Sequence, residues 1–264
     1  AYDIGTLATL FRTDTRLAGR SASPELSTML RSGDPVRAMA QYRDSEWHDP
    51  ARTMLGTQQE AWLHHALAQS VKRGAAWQLV GFGTIMGTMR VPPETAGWIS
   101  QARPGAAPYI QAAVAAGQAG LPTDLDNWGG YPAARQRFLG SAQAADANLV
   151  VLCGDSHNAW AFDLALDGGK GAPVGVEFAG QSVTSSGFET ALTVDPATVA
   201  RALVAASPEL KWCDTSRRGY MTLTVAPDRV SNDWHFVDTV RTRNPRATIG
   251  HSAQVLRNRR RMTA

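Results

Sequence analysis

The chain has 264 residues, 44% of them hydrophobic, which is enough to bury a core in one large domain or two small ones. Much of the basic excess behind its net charge of +3 lies in the run 257–261, and no aromatic-basic pattern typical of nucleic-acid-binding modules accompanies it. Two cysteines do not form a disulfide framework, and no apolar run approaches the length of a membrane span.

Apolar periodicity and turn residues predict alternating strands and helices along the chain. Thr57 and Glu60 have the spacing of a capping box, in which each side chain would bond the other residue's free amide at a helix start. In chain order the patterns predict a strand over 7–13, helices over 23–30 and 58–73, a strand over 76–82, helices over 108–116 and 132–145, strands over 149–153, 160–166 and 174–178, a helix over 196–206, and strands over 220–225 and 230–240.

This order predicts an α/β fold with a mixed sheet flanked by helices. We assign residues 1–250 to that single unit and residues 251–264 to a basic C-terminal tail that is solvated. The chain begins at Ala1 with neither an initiator Met nor a signal peptide, so we expect it to be processed or to be a piece of something longer.

The clearest functional signal follows the strand predicted over 149–153. Gly154 ends this apolar run, and Asp155, Ser156 and His157 come next, at the strand end where ligand-binding groups collect in open α/β sheets. A carboxylate and an imidazole two residues apart suit iron, zinc or manganese beside a harder ion. The alternative is that Asp155 caps the next segment and His157 only packs.

Other polar residues carry weaker hypotheses. Asp14 and Arg16 follow a strand and form either a buried ion pair or site-lining groups, and Thr184 and Ser185 either approach a phosphate or serve a turn. Candidates for which we favour a purely structural role are Asp44, Glu46 and His48 on a solvated loop, the adjacent His64 and His65, which face about 100° apart on one helix, and His235, opposite an aromatic strand face.

Short blocks along the chain share the order and spacing of a known family. They are 10–16, 52–56 running into 59–63, 77–81, 126–132 with Arg135, 151–157, 176–178, 184–187 and 218–220. Together they resemble the PhoD-type alkaline phosphatases, although only the C-terminal half of that family is covered. The family's upstream ligands have no counterpart here, and Gly129 stands where many relatives carry Asp.

The resemblance implies a metal-dependent hydrolase of phosphate monoesters, phosphate diesters or both. It implies one half of a calcineurin-like α/β/β/α metallophosphatase sandwich, in a periplasmic or secreted protein. By resemblance His157 would bind an Fe³⁺-like ion and Asp155 one or more Ca²⁺-like ions, with Zn²⁺ or Mn²⁺ as alternatives. The phosphate ester and the N-terminal half of the same protein, fused or separate, would be the partners.

Two other function classes remain open at this point. The block 154–156 matches the G-D-S motif of SGNH-type esterases, with Ser156 as nucleophile, but the late candidates Asp233 and His235 have the wrong spacing for that family. The third interpretation is a pseudoenzyme or scaffold without the full ligand set. Because one ligand loop and roughly one sheet are expected here, the isolated chain is predicted to be inactive, poorly metallated and prone to aggregate.

Overall fold

The structure is a computed structural model that describes residues 1–100 and 104–263, which form both helices and strands. In chain order they are β1 (Tyr2–Ile4), β2 (Ala8–Arg12), α1 (Leu26–Met29), α2 (Pro35–Tyr42), α3 (Thr57–Lys72), β3 (Trp77–Gly81), α4 (Ala107–Gln118), α5 (Pro132–Ala144), β4 (Leu149–Cys153), β5 (Ala159–Leu164), β6 (Gly175–Ala179), α6 (Pro196–Ala206), β7 (Leu210–Asp214), β8 (Gly219–Val225), β9 (Arg229–Val237), β10 (Ala247–Leu256) and β11 (Met262–Thr263). The mixed α/β class predicted from the sequence is confirmed.

The main sheet has seven strands in the order β1-β2-β3-β4-β6-β5-β7. Its centre, β2, β3, β4 and β6, is parallel, whereas β1, β5 and β7 each pair antiparallel with a neighbour. The apolar run of β4 is buried on both faces, with Val150 toward one layer and Val151 toward the other. The parallel strands bring their carboxyl ends to one edge of the sheet.

Helices α3, α5 and α6 cover one face of this sheet. Leu63, Leu67 and Ser70 of α3 are buried, and Gly74 follows with a φ of +83°. Asp195 caps α6, because its carboxylate accepts the amide N–H groups of Ala197 and Thr198. The shared core is largely aliphatic and aromatic.

The capping box predicted at Thr57 is wrong. Thr57 already lies inside α3, and the N-cap is Gly56, whose φ of +75° favours glycine and where any Cβ would collide with the Ala18 carbonyl oxygen. Thr53 makes the hydrogen bonds at the start of α3 that were expected of Thr57. Its hydroxyl accepts the Gly56 N–H at 3.0 Å and donates to Glu60 at 3.0 Å.

A second sheet of four antiparallel strands, ordered β11-β10-β9-β8, covers the other face of the main sheet. Trp234 and Phe236 of β9 and Val255 of β10 are buried in the apolar layer between the sheets, while His235 points to the opposite side, as predicted. The basic tail assigned to 251–264 is therefore wrong for its described part, since residues 251–256 belong to β10 and 262–263 to β11; residue 264 lies outside the described residues. The expectation that this chain supplies only about one sheet is wrong for the same reason.

Candidate active site

A polar cavity of about 290 Å³ opens at the carboxyl ends of the parallel strands. The loops after β3, β4 and β6 supply much of its wall, because these neighbouring parallel strands all end at this edge. Its lining combines acidic, amide, imidazole and hydroxyl groups with a few apolar side chains: Thr84, Ile85, Met89, Tyr109, Thr123, Asp124, Asn127, Gly154, Asp155, Ser156, His157, Asn158, Trp160, Ser186, Gly187 and Phe188.

The loop after β4 has an unusual backbone. Asp155 and His157 have φ values of +70° and +62°, in the left-handed region that such residues rarely adopt. Neighbours outside the loop hold it there: Arg218 donates to the His157 carbonyl oxygen, and Asn158 accepts the Phe188 N–H at 3.2 Å. This strained backbone places both predicted residues on the cavity wall.

His157 is oriented by a carbonyl group. Its Nδ1 lies 3.0 Å from the Ser186 carbonyl oxygen, a contact that requires the proton on Nδ1 and leaves the Nε2 lone pair available. Imidazoles that bind metals are commonly fixed in this way through their second nitrogen. The partner of His157 lies in the loop after β6, which is distant in sequence from β4.

Asp155 belongs to a network of charges at the cavity mouth. Arg16 donates to Asp155 Oδ2 at 2.9 Å and also to Asp126, which in turn accepts from Arg20. Burial disfavours the ionised form of Asp126, but the hydrogen bonds from the two arginines outweigh it and hold the Asp126 pKa below its ordinary value. The sequence leaves two roles open for Arg16, a buried ion pair or a group that lines the site. Arg16 is exposed and bonds Asp155, so the structure favours a role at the site.

Asp124 also lines the cavity and was not predicted from the sequence. Burial raises the pKa of its carboxyl group, although the Asp126 amide N–H donates to it at 2.9 Å. The sequence contained a signal for this residue, since Asp124 and Asp126 alternate where the block 126–132 begins. Asn127, in the same segment, accepts the Gly129 N–H at 2.7 Å through its side-chain oxygen and lines the cavity as well.

Ser156 is not placed as a nucleophile. Its hydroxyl accepts the indole N–H of Trp160 and lies 3.4 Å from the Asn158 carbonyl oxygen. Asp233 and His235, the late partners considered for an esterase, lie on β9 of the second sheet, where His235 stacks on Tyr220 and bonds Thr222. The structure therefore does not bring the three candidate esterase residues together.

The remaining sequence candidates lie away from the cavity. Asp44, Glu46 and His48 are exposed on and just after a π-helical turn over Arg43–Trp47. His64 is half-buried and His65 exposed on α3, as expected for neighbours facing different directions. Thr184 and Ser185 are exposed, and the Ser185 carbonyl oxygen accepts from Ser182, which favours the turn role.

The donor chemistry of Asp155 and His157 fits a metal ion. Asp155 offers the carboxylate oxygen Oδ1, to which no described residue donates a hydrogen bond, and His157 offers its Nε2; both residues lie on the cavity wall. Within residues 1–100 and 104–263, no group of three or more His, Cys, Asp or Glu side chains is placed to hold an ion. In the described part of the chain, Asp155 and His157 are therefore two side chains whose chemistry fits a metal ion at this cavity.

Arg20, Asp124, Asn158 and Arg218 belong to the site and were not predicted from the sequence. Arg20 contacts Asp126, and Arg218 contacts His157, so these two reach the site through residues far away in sequence. Arg218 carried a partial signal, since it lies in the block 218–220.

Comparisons with known proteins identify the relatives of this chain. A family model described as PhoD-like phosphatase matches residues 1–234. Alkaline phosphatase D of Bacillus subtilis (strain 168) is 28% identical over 198 residues, which are 74% of this chain and 28% of that protein. A solved structure titled "Structure of PhoD" superposes with a TM-score of 0.68 at 23% identity, over 99% of this chain and 42% of that one. The chain thus spans less than half the length of either relative. No helix in the described part of the chain is long and apolar enough to cross a membrane.

Proposed function

The chain belongs to the PhoD-like phosphatase family, and from that membership we propose that the cavity at Asp155 and His157 hydrolyses phosphate monoesters, phosphate diesters or both with bound metal ions. The observation that carries this proposal is the orientation of His157, whose Nδ1 is held by the Ser186 carbonyl oxygen beside a carboxylate on the same loop.

In this proposal Asp155 and His157 are metal ligands. Ions bound there would withdraw charge from the phosphoryl group and lower the pKa of a bound water. Fe³⁺ for His157 and Ca²⁺ for Asp155 follow from the family resemblance, and Zn²⁺ or Mn²⁺ also suit an imidazole and a carboxylate.

The other side chains of the cavity orient the ester and stabilise its charge. Arg16 bridges Asp155 and Asp126, so its guanidinium keeps the ligand carboxylate in place and adds positive charge at the cavity mouth. Asn127 uses its side-chain oxygen for the Gly129 N–H, which leaves its amide N–H groups to donate to a phosphoryl oxygen.

We further propose that the remaining ligands come from the N-terminal half of the same protein, fused or as a second chain. Two protein ligands leave most coordination positions of a multi-metal site to water, which does not hold ions at a fixed separation. The length of the relatives, of which this chain spans 28% and 42%, is consistent with that division. We place the protein in the periplasm or outside the cell, as the resemblance implies.

Paired substitutions test the proposal in the complete protein. Asp155→Asn and His157→Ala should each reduce bound metal, measured by elemental mass spectrometry, and lower p-nitrophenyl phosphate hydrolysis by orders of magnitude. Asp228→Asn and His65→Ala, at exposed positions away from the cavity, are the matched controls and should leave both quantities unchanged. Normal metal content and turnover in both site variants would refute the proposal, because metal binding and hydrolysis would then depend on other residues.

A further inference from the structure

A second cavity adjoins the polar one and has a different character. It encloses about 60 Å³, and apart from one tyrosine and two threonines its described lining is apolar, including Ala106, Ala113, Ala191, Ile110, Val199 and Leu203. Three of these residues are alanines, so the cavity exists because small side chains stand where larger ones would fill the core.

Residues of four different segments meet around this cavity. Ile110 comes from α4, Val199 and Leu203 come from α6, Thr95 comes from the 3-10 turn Pro93–Trp98, and Leu192 follows the turn Phe188–Thr190. A backbone bridge between Ile99 and Leu192 connects two of these segments. The walls are therefore fixed by the core of the protein.

The two cavities share part of their wall. Tyr109, Thr123 and Phe188 line both, so the two cavities adjoin along these three side chains. Thr123 directs its hydroxyl to the Met89 carbonyl oxygen at 2.8 Å, which leaves it no hydrogen to donate to a ligand. Phe188 donates its amide N–H to Asn158, next to His157, which couples the shared wall to the ligand loop.

We propose that the apolar cavity binds the alkyl group of a phosphate ester whose phosphoryl group lies in the polar cavity. This inference rests on the proposed function of the polar cavity and adds the substrate class, an ester of a short apolar alcohol. An apolar cavity of about 150 Å³ holds benzene, so about 60 Å³ suits a group smaller than an aromatic ring, such as propyl. A water molecule in such a cavity finds few hydrogen-bond partners. An alkyl group that enters it removes apolar surface from water, which is favourable.

Methyl-group NMR on the complete protein, with its metal ions bound, tests both the phosphate site and the alkyl site. Ile85 lines only the polar cavity, whereas Ile110, Val199 and Leu203 line only the apolar one. Titration with inorganic phosphate, methyl phosphate and n-propyl phosphate should shift the Ile85 methyl signals in all three cases. Only n-propyl phosphate should shift the signals of Ile110, Val199 and Leu203, and it should bind about tenfold more tightly than methyl phosphate.

A filling substitution and a matched control sharpen the test. Ala191→Leu, at a half-buried position on the apolar cavity, should abolish the advantage of n-propyl phosphate and leave the affinity for inorganic phosphate unchanged. Ala200→Leu packs against the same core without lining either cavity and should retain the advantage.

The possible failures are distinguishable. Shifts at Ile85 with all three ligands, but none at Ile110, Val199 or Leu203, would overturn this inference and leave the proposed function standing. The same holds if the Ala191→Leu variant keeps the full preference for n-propyl phosphate. No shift at Ile85 with any phosphate would contradict the phosphate site itself, and the alkyl site would fall with it.

Discussion

The loop that carries Asp155 and His157 contains two left-handed residues that are not glycine. Each left-handed residue that is not glycine costs about 1–3 kcal/mol, and such residues persist only where the surroundings fix them. Arg218 does so at the His157 carbonyl oxygen, and an ion pair with Glu189 holds Arg218 in turn. The hydrogen bond between His157 and the Ser186 carbonyl oxygen therefore depends on several loops at this edge of the sheet.

Ser156 separates the phosphatase account from the esterase alternative. Its hydroxyl bonds Trp160 and Asn158, so Ser156→Ala removes a structural contact and no nucleophile. We expect the variant to keep most of its p-nitrophenyl phosphate activity. Complete loss of activity, together with covalent labelling of Ser156 by a serine-directed phosphonate, would instead support the esterase.

Glu177 gives the protein a pH dependence of stability. Burial raises its carboxyl pKa from 4.5 to about 7, although the amide N–H groups of Met86 and Gly87 donate to it. The folded state thus holds a proton that the unfolded chain releases above about pH 4.5. The free energy of unfolding should therefore fall as pH rises from about 4.5 to 7, by at most about 3 kcal/mol, and then level off with respect to this group.

Glu177→Gln removes that titration. Urea unfolding at several pH values should show a shallower dependence of stability in the variant than in the wild type between pH 4.5 and 7. Identical slopes in the two proteins would show that Glu177 does not titrate in this window.

At the scale of elements, a buried ion pair joins α5 to the turn before β7. Arg135 and Glu209 are nearly inaccessible to solvent and share two hydrogen bonds of 2.7 and 2.8 Å. Glu209 also accepts the amide N–H groups of Thr88 and Ala165, so one carboxylate connects three segments. Arg135 lies in one of the sequence blocks that resemble the family, and its role here is structural.

Glu209→Ala should destabilise the protein by about 3–5 kcal/mol, because it leaves the Arg135 charge buried without its partner. Glu94→Ala, at an exposed position, is the control and should change the free energy of unfolding by less than about 0.5 kcal/mol. Chemical denaturation measures both, and a loss no larger than that of the control would contradict the assignment.

The elements that the sequence predicted are those with strong local patterns. The apolar run of β4 and the Asp195 cap of α6 are local signals, and both elements are confirmed. β7 was missed because Lys211 and Asp214 interrupt its apolar pattern, and β10 was missed because exposed residues dominate its first half. The loop of Asp155 and His157 was predicted because it follows such a local pattern. Its contacts with Ser186 and Arg218 were not predicted, because they join segments that are distant in sequence.

At the scale of the whole molecule, the second sheet decides how the core is closed. Helices cover one face of the main sheet and four further strands cover the other, so both of its faces are buried within this chain. The predicted tendency to aggregate rested on an uncovered sheet face, and this basis is removed. The expectation that the chain alone is poorly metallated rests on ligand number and stays a prediction.

β10 offers a direct test of this closure. Val255 is buried between the sheets, whereas Gln254, next to it on the same strand, is half-buried on the other side. Val255→Asp should lower the free energy of unfolding by several kcal/mol, because it buries a charge without a partner, and Gln254→Asp should have a small effect. A solvated tail at 251–264 would tolerate both substitutions equally.

The position of a bound metal ion would show whether Asp155 and His157 are metal ligands. Crystals of the complete protein grown with Fe³⁺ and Ca²⁺ would locate the ions by anomalous scattering. We predict density within coordinating distance of the Asp155 carboxylate and of His157 Nε2, with Nδ1 still bonded to the Ser186 carbonyl oxygen. An active, fully metallated protein whose ions lie away from both side chains would contradict the account.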